Sequence, residues 1–130
     1  MFPTIRSAPL RGARSTALIE TIVIDGLDFT GATFRLEVRD RRNGGSLRAG
    51  LDTVSSASAE GVRIVEVDTS GDLPITTVGI RINETTMEAM PTGEPGEDVN
   101  IWWGMHITPA GGTKFLAYDS IFTIEASTPA

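Results

Sequence analysis

Few side chains in this sequence could carry out chemistry. His106 is the only histidine and there is no cysteine. A Ser-His-Asp arrangement would have to use His106, which lies in an alternating segment with no nucleophile-elbow pattern near it. A sheet-face histidine with local hydrogen bonds is the simpler interpretation. One histidine without cysteine also excludes most zinc geometries.

The acidic residues do not form a recognisable catalytic or metal-binding pattern. A glycosidase needs one specific carboxylate pair, and nothing singles out two of the 17 acids. Asp25 and Asp28 flank a glycine turn but lack the ligand density of a calcium loop. Glu94, Glu97 and Asp98 could hold a cation weakly, although a solvated loop is the default. We therefore predict a protein that is not an enzyme and has no metal or cofactor.

Trp102 is the residue best suited to binding. Residues 99–107 alternate with a period of two, so if Trp103 faces the core, Trp102 and His106 share the opposite face. A tryptophan on an outer face is a candidate interface anchor, or a sugar-stacking platform that Tyr118 would extend. The alternative is that a loop or the N-terminal segment covers Trp102.

A hairpin over residues 99–125 must position these side chains, with Pro109-Ala110-Gly111-Gly112 as its turn. Further strands are expected at residues 16–24, 32–39, 46–52, 62–68 and 75–83, and residues 84–90 could form a short helix that packs Met87 and Met90. Seven or eight short strands without long helices predict an all-β, immunoglobulin-like antiparallel β-sandwich. A small β-barrel is the alternative.

The charges divide the 130-residue chain unevenly. We expect a β-sandwich domain at residues 15–126, an extended basic arm at residues 1–14 and a short tail at residues 127–130. The arm carries three arginines and no acid, whereas residues 84–98 carry five acids and no base. This contrast predicts docking of the arm onto a neighbouring subunit, and the alternative is a frayed terminus beside a solvated loop. The interface candidates are Arg6, Arg11, Arg14, Glu94, Glu97, Asp98, Trp102, His106 and Tyr118.

The net charge of −6 argues against a nucleic-acid partner, because the chain would repel phosphate overall. No run approaches the roughly 18 apolar residues of a membrane helix. The N-terminus lacks a hydrophobic segment of signal-peptide length, so we expect synthesis in the cytoplasm without export by the general route.

Two stretches resemble a known family. Asp28-Phe29-Thr30-Gly31-Ala32-Thr33, which opens the strand ending at Arg39, is similar to the start of small immunoglobulin-like domains in tailed bacteriophages. These include the N-terminal module of siphophage baseplate upper proteins and related tail or fibre-attachment proteins. Residues 101–125, with their hairpin, look similar to the later strands of the same domains.

The resemblance implies a non-enzymatic structural protein of the virion, in the tail, baseplate or a fibre attachment, with copies of itself and other virion proteins as partners. The chain has an N-terminal arm and no long segment after the sandwich, which leaves a capsid decoration role open. The sequence is also compatible with a carbohydrate-binding module that uses Trp102 and Tyr118, or with a small hydrolase. It predicts neither the position in the particle nor the oligomeric state.

Overall fold

The computed structural model describes residues 8–42 and 44–126. Its elements in chain order are β1 (Leu10–Ala13), β2 (Leu18–Asp25), β3 (Thr33–Arg39), β4 (Leu47–Asp52), β5 (Gly61–Asp68), β6 (Ile75–Ile82), α1 (Glu84–Glu88), β7 (Val99–Thr108) and β8 (Phe115–Glu125). A five-stranded sheet, in the order β1-β8-β7-β3-β4, packs on a three-stranded sheet, in the order β2-β6-β5. This is an immunoglobulin-like sandwich, as the strand pattern predicts.

The core lies between the two sheets and is built by alternation. In β3, Phe34, Leu36 and Val38 are buried, because successive side chains of a strand point to opposite faces. Trp103 is fully buried and stacks on Tyr118, with ring centroids 5.6 Å apart. These large aromatic side chains fill the space between sheets that cannot be joined by a disulfide, since the chain has no cysteine.

The β7–β8 hairpin forms as predicted. The N–H of Gly112 donates to the carbonyl of Pro109 at 2.9 Å, and Gly111 has a φ of 70°, which favours glycine. The returning chain is one continuous strand, β8. A bulge opposite Met105 and His106 adds one residue to the β8 side.

The N-terminal segment departs from the expected arm. Leu10–Ala13 is a strand that pairs in parallel with β8, with Leu10 opposite Phe122, so the prediction of an arm over residues 1–14 is wrong for these four residues. Leu10 is only 5% exposed. A strand this short has no detectable period, and its register is set by the partner strand. The remaining predicted arm, residues 1–7, and the tail, residues 127–130, lie outside the described residues.

Helix α1 closes one end of the sandwich. Met87 and Met90 are buried, so the expected packing of this short helix onto the sheets is confirmed. Arg14 donates to the carbonyl of Met90 at 3.0 Å and also to the carbonyl of Glu88. One guanidinium thus satisfies two carbonyls at the end of the helix. Among the described residues, no helix is long and apolar enough to cross a membrane.

Candidate interaction surfaces

The outer face of the five-stranded sheet carries a fixed tryptophan. Trp102 is half-buried on this face, opposite Arg39 of β3 and Ile121 of β8, whereas Trp103 is fully buried, as the alternation predicts. The indole lies directly over Gly104, where a Cβ atom would collide with its six-membered ring. Its Nε1 donates to the carboxylate of Asp119. The indole is therefore held at two points, by Asp119 at Nε1 and by contact of the Cζ2–Cη2 edge of its six-membered ring with Gly104.

Asp119 is a functional candidate that the sequence pattern does not indicate. It lies opposite Gly104 in the hairpin register, and its side chain is only 5% exposed. It accepts a hydrogen bond from Trp102 and pairs with Arg42, whose side chain is 66% exposed. The hairpin register could have indicated Asp119, because it places this acid opposite Gly104, the residue that the indole contacts.

A row of alternating charges borders the tryptophan. Glu37 pairs with Arg39 at 2.9 Å and with Arg35 at 3.3 Å. Partial burial would raise the pKa of Glu37, but the hydrogen bonds and positive charges of Arg39 and Arg35 outweigh it and lower the pKa. Glu37 is therefore charged and paired with both arginines on this face.

His106 and Tyr118, the other two aromatic candidates, are not equivalent. His106 is half-buried on the outer face, opposite Arg35 and Leu116, two rows from Trp102. Tyr118 is 2% exposed and stacks on Trp103, so its expected place beside Trp102 is wrong. The β8 bulge is the reason, because it sets Tyr118 opposite the inward-facing Met105.

The basic N-terminal residues bind acidic partners within the same chain. Arg11 pairs with Asp98 at 2.6 Å and with Glu125 at 3.2 Å. The N–H of Ala126 donates to Asp98 at 2.8 Å, and this bond, followed by the one from Arg11, lowers the pKa of Asp98.

Arg11 and Arg14, which the sequence predicts to dock onto a neighbouring subunit, have partners in their own domain: Arg11 holds Asp98, and Arg14 holds the end of α1. Glu94 and Glu97 are exposed in the loop before β7, where they line a groove with Arg14. Arg6 lies outside the described residues.

A second surface, which the sequence analysis does not predict, covers the outer side of the three-stranded sheet. Seven large apolar side chains are exposed among the described residues, and five of them belong to this sheet or its β5–β6 turn. We define the apolar face as Ile19, Val23, Val65, Leu73 and Ile75, which are between 36% and 66% exposed. The sequence of β2 does indicate such a surface, because apolar residues occur at both odd and even positions. Only one set of positions can face the core, so the other set is exposed.

Charged side chains border the apolar face at its two ends. Arg81 lies opposite Ile19, and Arg63 lies in the next row, opposite Gly79. At the other end of the strands Glu66 lies opposite Thr77, and the last row pairs Ile75 with Asp25 on one side and Asp68 on the other.

Neither surface has the residues of a metal centre: among residues 8–42 and 44–126, no group of three or more His, Cys, Asp or Glu side chains could hold an ion. No family model matches the chain, and no curated protein matches it. Inferences about what the two surfaces bind therefore rest on their geometry.

Proposed function

We propose that this chain is a non-enzymatic structural subunit of a tailed-phage virion that assembles through the surfaces of its β-sandwich. The observation that carries the proposal is the apolar face. Single exposed apolar residues are common on monomers, but several large ones on the outer side of one sheet indicate an interaction site. Five of the seven exposed large apolar side chains in the described residues lie there.

The virion assignment is supported by the resemblance of residues 28–39 and 101–125 to small immunoglobulin-like phage domains. These two stretches form β3 with its preceding turn and the β7–β8 hairpin, which are adjacent in the five-stranded sheet. A tail, baseplate or fibre-attachment position fits this proposal best. Capsid decoration is the alternative, since a decoration protein needs the same two features, a compact sandwich and an assembly surface.

Several residues of the predicted N-terminal arm have partners in their own domain. Arg11 and Arg14 bind acceptors of their own domain, and Trp103 donates to the carbonyl of Ala8 at 2.9 Å. The predicted contact of residues 1–7, in which Arg6 is the only charged side chain, stays a prediction, because these residues lie outside the described part of the chain.

Particle incorporation tests this proposal. Particles would be purified on density gradients from a host strain that encodes the chain, and the chain would be quantified by mass spectrometry. We expect the wild-type chain to sediment with particles and Val23→Glu to be lost from them, because a charge on the apolar face opposes burial. Thr33→Glu is the control, since it adds the same charge to an exposed strand residue of the other sheet. A wild-type chain absent from particles would contradict the proposal.

Trp102 favours a second candidate function, carbohydrate binding. Sugar rings stack on exposed aromatic side chains, and the Trp102 indole is half-buried on the outer face and held in place by Gly104 and Asp119. Arg39 and Arg42 lie beside it and could donate to hydroxyl groups. A glycan array tests this function: binding that disappears in Trp102→Ala and persists in Trp102→Phe supports it, and an array without signal removes it.

A further inference from the structure

We infer that the apolar face binds a second copy of this chain, with the strands of the two three-stranded sheets antiparallel. The inference rests on the proposed role of the apolar face as a subunit contact and adds the identity and orientation of the partner. Two observations support the inference. The basic and acidic side chains of the face are separated along the strands, and two of them have no partner among the described residues.

The charges on the apolar face are separated along the strands. Arg81 and Arg63 occupy the rows nearest the start of β2. Glu66, Asp25 and Asp68 occupy the rows nearest its end. The face is therefore basic in one half and acidic in the other, with exposed apolar side chains in both halves, so each half is complementary in charge to the other half.

In a two-fold symmetric dimer, the separated basic and acidic side chains can pair between the two copies. If the axis lies between the two faces and runs across the strands, the basic end of each copy meets the acidic end of the other. Arg63 and Glu66 lie on the same strand in adjacent rows, so Arg63 of each copy then approaches Glu66 of the second copy, twice per dimer. An axis parallel to the strands would bring like charges together, which opposes that arrangement.

The two residues that would pair across the dimer have no partner in their own chain. Within residues 8–42 and 44–126, the side chains of Arg63 and Glu66 form no hydrogen bond or ion pair. The arginines of the five-stranded sheet differ: Arg35, Arg39 and Arg48 all pair with acids of their own sheet or its β3–β4 turn. Arg63 and Glu66 are thus available for contacts on the face that also exposes apolar side chains.

Two side chains of β5 cover the centre of the face. Val65 lies over Gly79 from the β5 bulge, with Cγ2 3.1 Å from the position of a Cβ atom, and Cγ and Nε of Arg63 lie 3.7 Å from the same position. Sheets pack face to face about 10 Å apart, so both side chains are within reach of a second copy.

The size of the face indicates a weak dimer. Three strands of eight residues cover about 26 by 14 Å, or roughly 370 Å² per copy. Stable complexes bury about 800 Å² per partner. We therefore expect a dissociation constant in the micromolar range or weaker, which becomes effective when many copies are held in one assembly.

Charge reversal tests the pairing. Sedimentation of the full chain between about 10 μM and 1 mM should show concentration-dependent dimers. Arg63→Glu and Glu66→Arg alone should each weaken the dimer about tenfold or more, since two attractive contacts become repulsive. An equimolar mixture of the two variants should form heterodimers, because one copy then carries two acids and the other two bases at these positions. Restored association in the mixture could not come from loss of folding.

Glu94→Arg is the matched control, because it makes the same charge change away from the apolar face and should leave the dimer unchanged. A wild-type monomer at 1 mM overturns the inference, and so does a mixture that remains monomeric or single variants that dimerise like the wild type. The last result would place the contact elsewhere, for example at the open edge of β2. A solution monomer that still enters particles overturns this inference alone, whereas a dimer that never enters particles overturns the virion proposal alone.

Discussion

The indole of Trp102 rests on the backbone of Gly104, two residues further along the same strand. Side chains at these positions share one face of a strand, so the glycine leaves the space that the ring occupies. The orientation of the candidate binding platform therefore depends on a residue that has no side chain.

Gly104→Ala should destabilise the protein by about 1–3 kcal/mol, because the new methyl group overlaps a rigid ring that is also held by Asp119. Gly50→Ala is the control on the same face. There the methyl group meets the end of the Arg35 side chain, which can move, so the change should be within about 0.5 kcal/mol. Urea denaturation measures both, and equal losses would contradict the proposed support of Trp102.

Thr76 is the only fully buried polar residue among the described ones, and it connects the β2–β3 turn to β6. Its hydroxyl accepts from the N–H of Phe29 at 3.1 Å and donates to the carbonyl of Leu27 at 2.8 Å. Thr76→Val keeps the shape and leaves two buried backbone groups unpaired, which should cost about 1–3 kcal/mol in urea denaturation. Thr77→Val, on the outer side of the same strand, should have little effect, and a similar loss there would show that the hydroxyl of Thr76 is unimportant.

Asp98 should make stability depend on pH in the acid range. Hydrogen bonds from Ala126 and Arg11 lower its pKa in the folded protein. The carboxylate therefore stabilises the fold above its ordinary pKa of about 3.9, and this contribution disappears as the pH falls through the lower folded pKa. Asp98→Asn should thus melt at a lower temperature than wild type at pH 7 and approach it near pH 2.5. Glu94→Gln, in the same loop, should show no such convergence, and a gap for Asp98→Asn that is equal at both pH values would refute the linkage.

Arg14→Lys should loosen the junction between the N-terminal strand and helix α1. The guanidinium reaches two carbonyls, those of Glu88 and Met90, and a lysine ammonium cannot reproduce that fork geometry. We expect a loss of about 1 kcal/mol in urea denaturation and faster hydrogen exchange of the Met90 amide. Arg41→Lys, an exposed arginine of the β3–β4 turn, is the control and should change neither measurement.

The sequence predicts those parts of the fold whose pattern is local. Strand β3 alternates without exception, and the β7–β8 turn has the glycines that its conformation requires. The direction of Trp102 and Trp103 follows from the same alternation. The burial of Tyr118 does not, because it depends on a one-residue bulge whose position is set by pairing between strands.

Contacts between distant residues account for the other differences. Arg11 and Asp98 are 87 positions apart, so their opposite charges predict attraction without showing that both belong to one domain. The short strand β1 is likewise defined by its partner β8. The position of the apolar face has another cause: β2 carries apolar residues on both sides, and which side reaches the core is decided by how the two sheets pack.

The parallel pairing of β1 with β8 affects how the domain responds to a pulling force. Because the two strands run in the same direction, the chain enters at one end of the pair and leaves at the other. Tension applied between the preceding and following segments therefore loads the hydrogen bonds from Leu10 to Ala13 in shear, all at once, rather than opening them one by one. The four-residue strand β1, which the sequence predicts as part of an arm, would therefore resist unfolding of the domain under tension.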